Sequence, residues 1–456
     1  MAGVGFGLRK LQGDETYATH VSVYASAGII SSGPWLISIL TLLLIGLVGR
    51  EHAASPLAIE HFQVAVTWLF AASLLLSTPF QLMFTRYVSD LLYRERDDLA
   101  LPSLWGALVV MSLLSCLIGC ACFGLFSGER TMLKVVLTAN LVVVSDTWLV
   151  IVMLTALREH LQVIAAFLLG YAVTFLGCLA LARFGEVGLL TGFLLGQSAL
   201  LFWSLAVISR SAPASALVAF GFLQRDRIHL DLLLIGLLYA LGIWIDKLVF
   251  WFHEPTSRAV LGPFRASEVY DLPLFLAYIA ITPGMAAFLL RIETDYAERH
   301  AAFFRAIEDG APLARLERLR DELVDSARAA LMSIFKVQGV TFMTCLLLGE
   351  TLLGWFGISR LHLPLFYVDV AAVSMQVLVL SLVSVFFYLD RRRTVLWLVT
   401  LLFVSNLGAT LISLRAGAAF YGYGFAFAAS LTTLVAVVML NGAFRHLLRD
   451  TFMMQA

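Results

Sequence analysis

The sequence predicts an all-α polytopic membrane protein, with about twelve transmembrane helices in two six-helix lobes. Three observations lead there. Of the 456 residues, 60% are hydrophobic and only 14% charged, where a soluble chain is about half apolar and a quarter charged. Mean hydropathy is +0.90. Apolar runs long enough to cross a hydrocarbon core, which takes roughly 20 helical residues, recur from end to end and leave no room for a separate catalytic domain.

In chain order the runs are 28–49, 62–83, 101–127, 133–157, 161–182, 187–209, 230–252, 271–290, 331–356, 364–389, 394–414 and 421–443. Short polar breaks, such as SGERT after the third and GISRLHL after the ninth, separate them. Residues 1–27 are mixed and polar, without the apolar core or cleavage site of a secretory signal. The chain therefore divides into an N-terminal segment 1–27, a first lobe 28–209, a linker 210–229, a second lobe 230–443 and a tail 444–456. The basic residues are 27 Arg and 4 Lys. With the N-terminus inside, the cytoplasmic segments carry 21 of them and the outer loops 8, the bias expected of cytoplasmic loops. Both termini are then cytoplasmic. Trp68, Trp251 and Trp355 fall near outer ends and Trp105, Trp203 and Trp397 near inner ends, as interfacial tryptophans do.

Residues 291–330 form the one sizeable cytoplasmic insertion. Leu316, Leu319 and Leu323 recur there at helical spacing among Arg315, Glu317, Arg318, Arg320 and Asp321. The pattern reads as an amphipathic helix lying on the membrane or on a partner, or as a solvated linker helix.

A short pattern repeats between the halves. The second span ends STPFQLMFTRYVSD, with Thr78, Pro79, Arg86 and Asp90. The eighth ends ITPGMAAFLLRIETDY, with Thr282, Pro283, Arg291 and Asp295. Both spans run in the same direction, as parallel repeats require. Proline removes a backbone donor and weakens the preceding turn, so Pro79 and Pro283, with Gly33 and Pro34 in the first span, are hinge candidates. Static kinks are the alternative. Arg86 and Arg291 sit at the inner mouth, either touching cargo or a partner or simply anchoring the chain.

An ionisable residue within a span costs several kcal/mol unless it meets water or a partner. Asp146 lies near the middle of span 4, too deep to reach either surface, and suits proton coupling, ligand binding or a buried structural hydrogen bond. Asp246 and Lys247 share the outer third of span 7. Neighbours in sequence do not face each other on a helix, so each is expected to need its own partner, or Lys247 to snorkel outward. Glu350 and Asp369 lie at similar depth, which suggests a hydrated outer vestibule, although Asp369 is also placed by an interface position. Trp148 and Trp244 lie deeper than the belt and read as packing residues.

Several chemistries lack their signatures. The cysteines, Cys116, Cys120, Cys122, Cys178 and Cys345, all fall in spans without a CxxC pair, so neither disulfide nor metal site is expected. There is no GxxxxGK[ST] loop and no HExxH. No catalytic, cofactor or metal-binding residue is assigned, and no nucleic-acid partner.

The opening MAGVGFGLRKL, AGIISSGPWLISIL in the first span, TPFQLMFTRYVSD and WIDKLVFW resemble the PelG family over the whole chain. That family is the transport subunit of the bacterial Pel exopolysaccharide system and belongs with the multidrug/oligosaccharidyl-lipid/polysaccharide flippases. The resemblance implies a flippase-like fold in the bacterial inner membrane. It implies an amino-sugar-rich polysaccharide as cargo, a cytoplasmic UDP-sugar-dependent glycosyltransferase as partner, and further membrane scaffold subunits. It supplies no established pathway residues. An ion-coupled small-molecule antiporter, a non-transporting scaffold for the glycosyltransferase and an embedded sugar-modifying enzyme remain open alternatives.

Overall fold

The structure is a computed structural model that describes residues 17–52, 55–124, 130–156, 160–224 and 229–453. The motif at 1–11, the first part of the N-terminal segment, residues 225–228 of the linker and the end of the tail lie outside the described residues. Helix dominates the remainder: α1 Tyr17–His52, α2 Pro56–Tyr93, α3 Ala100–Gly124, α4 Thr131–Ala156, α5 His160–Leu181, α6 Gly185–Ser211 and α7 Leu230–Phe252. A two-stranded antiparallel hairpin follows, β1 Arg258–Leu261 and β2 Phe264–Ala266. Then come α8 Glu268–Ile279, α9 Thr282–Leu290, a π-helical stretch Arg291–Tyr296, α10 Ala297–Glu308, α11 Leu313–Trp355, α12 Leu363–Tyr388, α13 Arg392–Ala416, α14 Tyr423–Arg445 and α15 Leu447–Met453.

Among the described residues, ten helical stretches are long and apolar enough to cross a membrane, or eleven with the bent α8–α10 run. One of the ten, Leu161–Ser211, contains α5 and α6, parted by a 3-10 turn at Ala182–Phe184. Gly185 at φ +71° turns the chain there. A Cβ on Gly192 would lie 2.4 Å from the Cys178 backbone nitrogen, and one on Gly196 would lie 2.5 Å from the Gly170 carbonyl oxygen. Only glycine permits this backbone-to-backbone seam, the small-residue contact that membrane helices favour.

The chain forms two compact units. The N-terminal unit comprises Gly33–Trp244 and Trp251–Ser267. In it, Gly236 of α7 meets α2 at the proline, since a Cβ there would sit 2.7 Å from Pro79 Cα. Of the three tryptophans expected at outer ends, Trp355 is exposed, as a belt residue is, but Trp68 and Trp251 face each other within the protein. Trp251 is buried, its ring centroid 4.6 Å from that of Trp68, and Trp68 also stacks on Phe264 of β2 at 5.4 Å. Trp68 Nε1 donates to the Arg265 carbonyl at 2.8 Å, and Arg265 Nε donates to the Trp251 carbonyl at 2.9 Å. The hairpin had no clear signature because its strands are four and three residues long.

The C-terminal unit comprises the described part of Met1–Ser32 with Ile245–Phe250 and Glu268–Ala456. Its insertion differs from expectation. The amphipathic stretch is the first part of α11, a single 43-residue helix that continues into the ninth span. Leu316 and Leu323 are buried, as is Phe303 of α10, and α10 packs against α11. The apolar stripe is therefore consumed within a helical hairpin rather than presented to lipid or partner.

The repeated pattern also resolves unequally. Helix α2 runs unbroken through Pro79, as α1 does through Pro34, so neither proline breaks its span. Thr78 Oγ1 donates to the Leu74 carbonyl at 2.7 Å, an ordinary i−4 back-bond. At the second copy the helix stops after Ile279 and resumes at Thr282 with a 41° bend. Pro283 cannot donate to the Ile279 carbonyl, and Thr282 Oγ1 donates to that oxygen instead, at 3.0 Å. Gln338 Nε2 reaches the Ile281 carbonyl at 3.5 Å.

Candidate functional site

In the C-terminal unit, helix α7 brings Asp246 and Lys247 into a buried polar cluster. Asp246 and Phe250 are one turn apart on the same face. Tyr270 of α8 stacks on Phe250, centroids 4.0 Å apart and planes within 5°. That stacking carries the phenol to Asp246, and Tyr270 Oη donates to Oδ2 at 2.6 Å. Asn406 of α13 donates through Nδ2 to Asp246 Oδ1 at 3.3 Å, while its own carbonyl accepts from Thr410 Oγ1 at 3.0 Å.

Lys247 corrects the sequence reading. Its Nζ lies 3.2 Å from Asp246 Oδ2 and 3.3 Å from Oδ1, so the neighbours do pair. The two Cβ atoms diverge on the helix, but the four-carbon lysine stem is long enough to fold back. Lys247 does not snorkel outward, being only 5% exposed. Its ammonium also sits 5.4 Å from the Tyr278 ring centroid and 5.0 Å from that of Phe425, distances at which a cation gains from an aromatic face.

Asp369 on α12 is no interface residue. It is completely buried, and neither carboxylate oxygen has a hydrogen-bond partner among the described residues. Asp246 and Lys247 are its charged neighbours. It approaches the N-terminus of α14, where a Cβ on Gly422 would lie 2.9 Å from Oδ1, and where φ of +84° itself requires glycine. A helix N-terminus favours negative charge. The cluster thus contains two carboxylates and one ammonium, a formal excess of one negative charge.

The remaining candidates stand apart from this cluster. Glu350 is exposed and lies 3.6 Å from Arg360, so the four groups at similar depth do not form one vestibule. Asp146, in the N-terminal unit, is 6% exposed. Ser112 Oγ of α3 donates to its Oδ2 at 2.6 Å, and Oδ1 is buried without a partner. Trp148 donates to Ser73 Oγ at 3.1 Å, which fits a packing role.

Arg86 and Arg291 behave alike within their own units. Each pairs with the acid one turn on, Arg86 with Asp90 at 3.1 Å and Arg291 with Asp295 at 3.0 Å. Arg291 Nη2 also reaches Tyr24 Oη at 3.5 Å. Sequence reasoning did not find Tyr270 or Asn406. The signal available for Asn406 was an amide in the middle of span 11.

A family model named PelG and described as "Putative exopolysaccharide Exporter (EPS-E)" matches residues 1–452. No curated protein matches the chain. Among solved structures, an outward-facing multidrug resistance MATE family transporter of the MOP superfamily is similar at 14% identity and TM-score 0.64, covering 97% of this chain and 99% of that one. An inward-facing conformation of a MATE family transporter is similar at 13% identity and TM-score 0.62, covering 91% and 96%. A MOP superfamily transporter from Pyrococcus furiosus, in a structure titled for the reverse polarity of its binding pocket, is similar at 14% and 0.62, covering 97% and 98%. These likenesses establish the fold, that of a MOP-superfamily transporter.

Proposed function

Because the chain belongs to the PelG family of exopolysaccharide exporters, we propose that it carries an amino-sugar-rich polysaccharide from the cytoplasm across the bacterial inner membrane. A separate cytoplasmic UDP-sugar-dependent glycosyltransferase makes the polymer, and membrane scaffold subunits hold the two together. The observation that supports this reading most is a full-length match to an exporter family on a chain that folds as a MOP transporter. With nearly all of the chain in membrane helices, polymer synthesis falls to a partner.

The buried Asp246–Lys247–Asp369 cluster favours a second reading, ion-coupled antiport of a small solute. Its built-in ammonium already neutralises one carboxylate, so the exchanged ion in that reading is monovalent, a proton or sodium. Growth of the polymer by the partner is the competing source of drive.

Sealed inverted vesicles holding the complete complex and supplied with UDP-amino sugars separate these. Polymer protected from added glycosidase only when this chain is present supports export. Protection that survives an uncoupler supports polymer pushing, and protection lost with the uncoupler supports proton coupling. Polymer that stays fully digestible in vesicles proven sealed sinks the conduit.

A further inference from the structure

Fourteen consecutive residues of the linker, SAPASALVAFGFLQ at 211–224, include no charged side chain, whereas a connection that runs through water is ordinarily polar. In the N-terminal unit this stretch lies along the start of α3. Ser215 donates to the Asp98 carbonyl through N at 3.1 Å and through Oγ at 3.2 Å. Farther on, Ala219 N donates to the Pro102 carbonyl at 2.9 Å. A Cβ on Gly106 would lie 2.2 Å from the Ala219 carbonyl oxygen, so a larger residue there would push the linker off the helix.

These contacts set a depth. From Asp98 to Gly106 is about 12 Å at 1.5 Å per residue, and the linker climbs that distance from the Asp97–Asp98 pair to the level of Trp105. Tryptophans near span ends sit where headgroups give way to acyl chains. The side chains divide accordingly. Phe222 turns inward and is fully buried, its ring centroid 5.9, 6.0 and 6.1 Å from those of Phe80, Phe84 and Tyr87. Leu217, Val218, Phe220 and Leu223 are exposed, Leu217 at 89%. Single exposed apolar side chains are ordinary. Four of them close together, on a stretch fixed at that depth, form a patch that calls for cover.

We propose that residues 217–223 bind lipid, as a hook set into the boundary between headgroups and acyl chains on the linker's side of the membrane. The absence of charge suits that boundary and offers a protein partner no ion pair. Neither helix nor strand runs between Ala212 and Phe220, so backbone groups there need water or headgroups, which excludes a deeper seat. The clamp on α3 and the buried Phe222 hold the outward side chains in place before lipid arrives. This inference needs the chain to be embedded in a membrane and is independent of what the chain carries.

The test places an environment-sensitive fluorescent amino acid at position 217 of the full chain, in nanodiscs of phosphatidylcholine and phosphatidylglycerol. The same probe at the exposed Asp309, in the turn between α10 and α11, is the aqueous reference. Phosphatidylcholine brominated near the top of its acyl chains is the lipid quencher, and iodide is the aqueous one. Bromolipid is expected to dim the 217 probe about twofold or more while iodide leaves it nearly unchanged, and the 309 probe should do the reverse. A 217 probe that iodide dims as strongly as the 309 probe would show that the patch faces water, and the hook would fall. A 217 probe shielded from both quenchers would show that protein covers the patch, a second copy or another partner, and would overturn the lipid assignment equally. If the probe at 217 prevents folding, the same probe at 223 carries the measurement with the same outcomes.

Discussion

Asp246 and Asp146 are both carboxylates buried among apolar helices, one in each unit, and they are treated oppositely. Asp246 receives an ammonium, a phenol and an amide. Asp146 receives one serine hydroxyl. A buried charge with its partners complete is a structural joint, and removing one partner strands the others. A buried acid with a single neutral donor has no counter-ion to strand. The comparison teaches that depth alone does not rank buried carboxylates: the deeper residue has one neutral donor, whereas Asp246 has a counter-ion and two further donors.

The largest effect that could break this contrast is at Asp246. Asp246→Ala leaves Lys247 buried without its counter-ion and is expected to cost about 3–5 kcal/mol. Thermal unfolding of the purified protein reads it, and Asp246→Ala/Lys247→Met should recover most of the loss. A single variant that melts like the parent would show the pair is no joint.

Next comes the frame that holds the lone acid. Helix α6 abuts α4, where Asn140 Nδ2 donates to the Leu190 carbonyl at 3.1 Å. Gly192→Ala pushes a methyl into the Cys178 backbone and is expected to cost roughly 1–3 kcal/mol as overpacking. Unchanged membrane abundance and melting would mean the seam yields more easily than the geometry implies.

Smaller still is the lone acid's own bond. Ser112→Ala removes one donor and should cost on the order of 1 kcal/mol, while Asp146→Asn should cost nothing measurable because its amide oxygen can still accept from Ser112. Equal losses for Asp146→Asn and Asp246→Ala would erase the distinction between the two sites.

The smallest effect lies outside the spans. Hydrogen bonding from Arg391 holds the Asp450 carboxyl below its ordinary value. A depressed folded value means the contribution is complete above about pH 4, the unfolded range, and is lost as pH falls through the folded value. Comparing the melting of Asp450→Asn with the parent at pH 6 and pH 3 should show a small deficit at pH 6 that shrinks at pH 3.

Much of this was legible in the sequence. Helical runs announce themselves by length and apolarity, and every predicted span falls wholly or largely on a described helix. The repeat was visible as Thr-Pro followed by Arg and Asp, but its unequal outcome was not, since it depends on whether threonine answers its own turn or the carbonyl orphaned by proline. The pairing of Asp246 with Lys247 was hidden because helix geometry constrains Cβ directions, not the reach of a long flexible stem. Asp369, Tyr270 and Asn406 come from three different helices, and no spacing rule joins them. The amphipathic stripe at Leu316 and Leu323 was correctly seen as a face needing cover, and sequence alone had no means to tell that α10 supplies it.

The continuity of α11 has a mechanical consequence. Its 43 residues extend about 65 Å at 1.5 Å per residue, against a hydrocarbon core of about 30 Å. No proline interrupts it, so the half outside the core moves as the half inside does. A tilt of about 10° in the buried half sweeps the far tip near Leu313 through roughly 6 Å over that outer length. The helix is an indicator needle, and a fluorophore at its exposed end, paired with one held fixed outside the helix, would read such a tilt as a change in their separation.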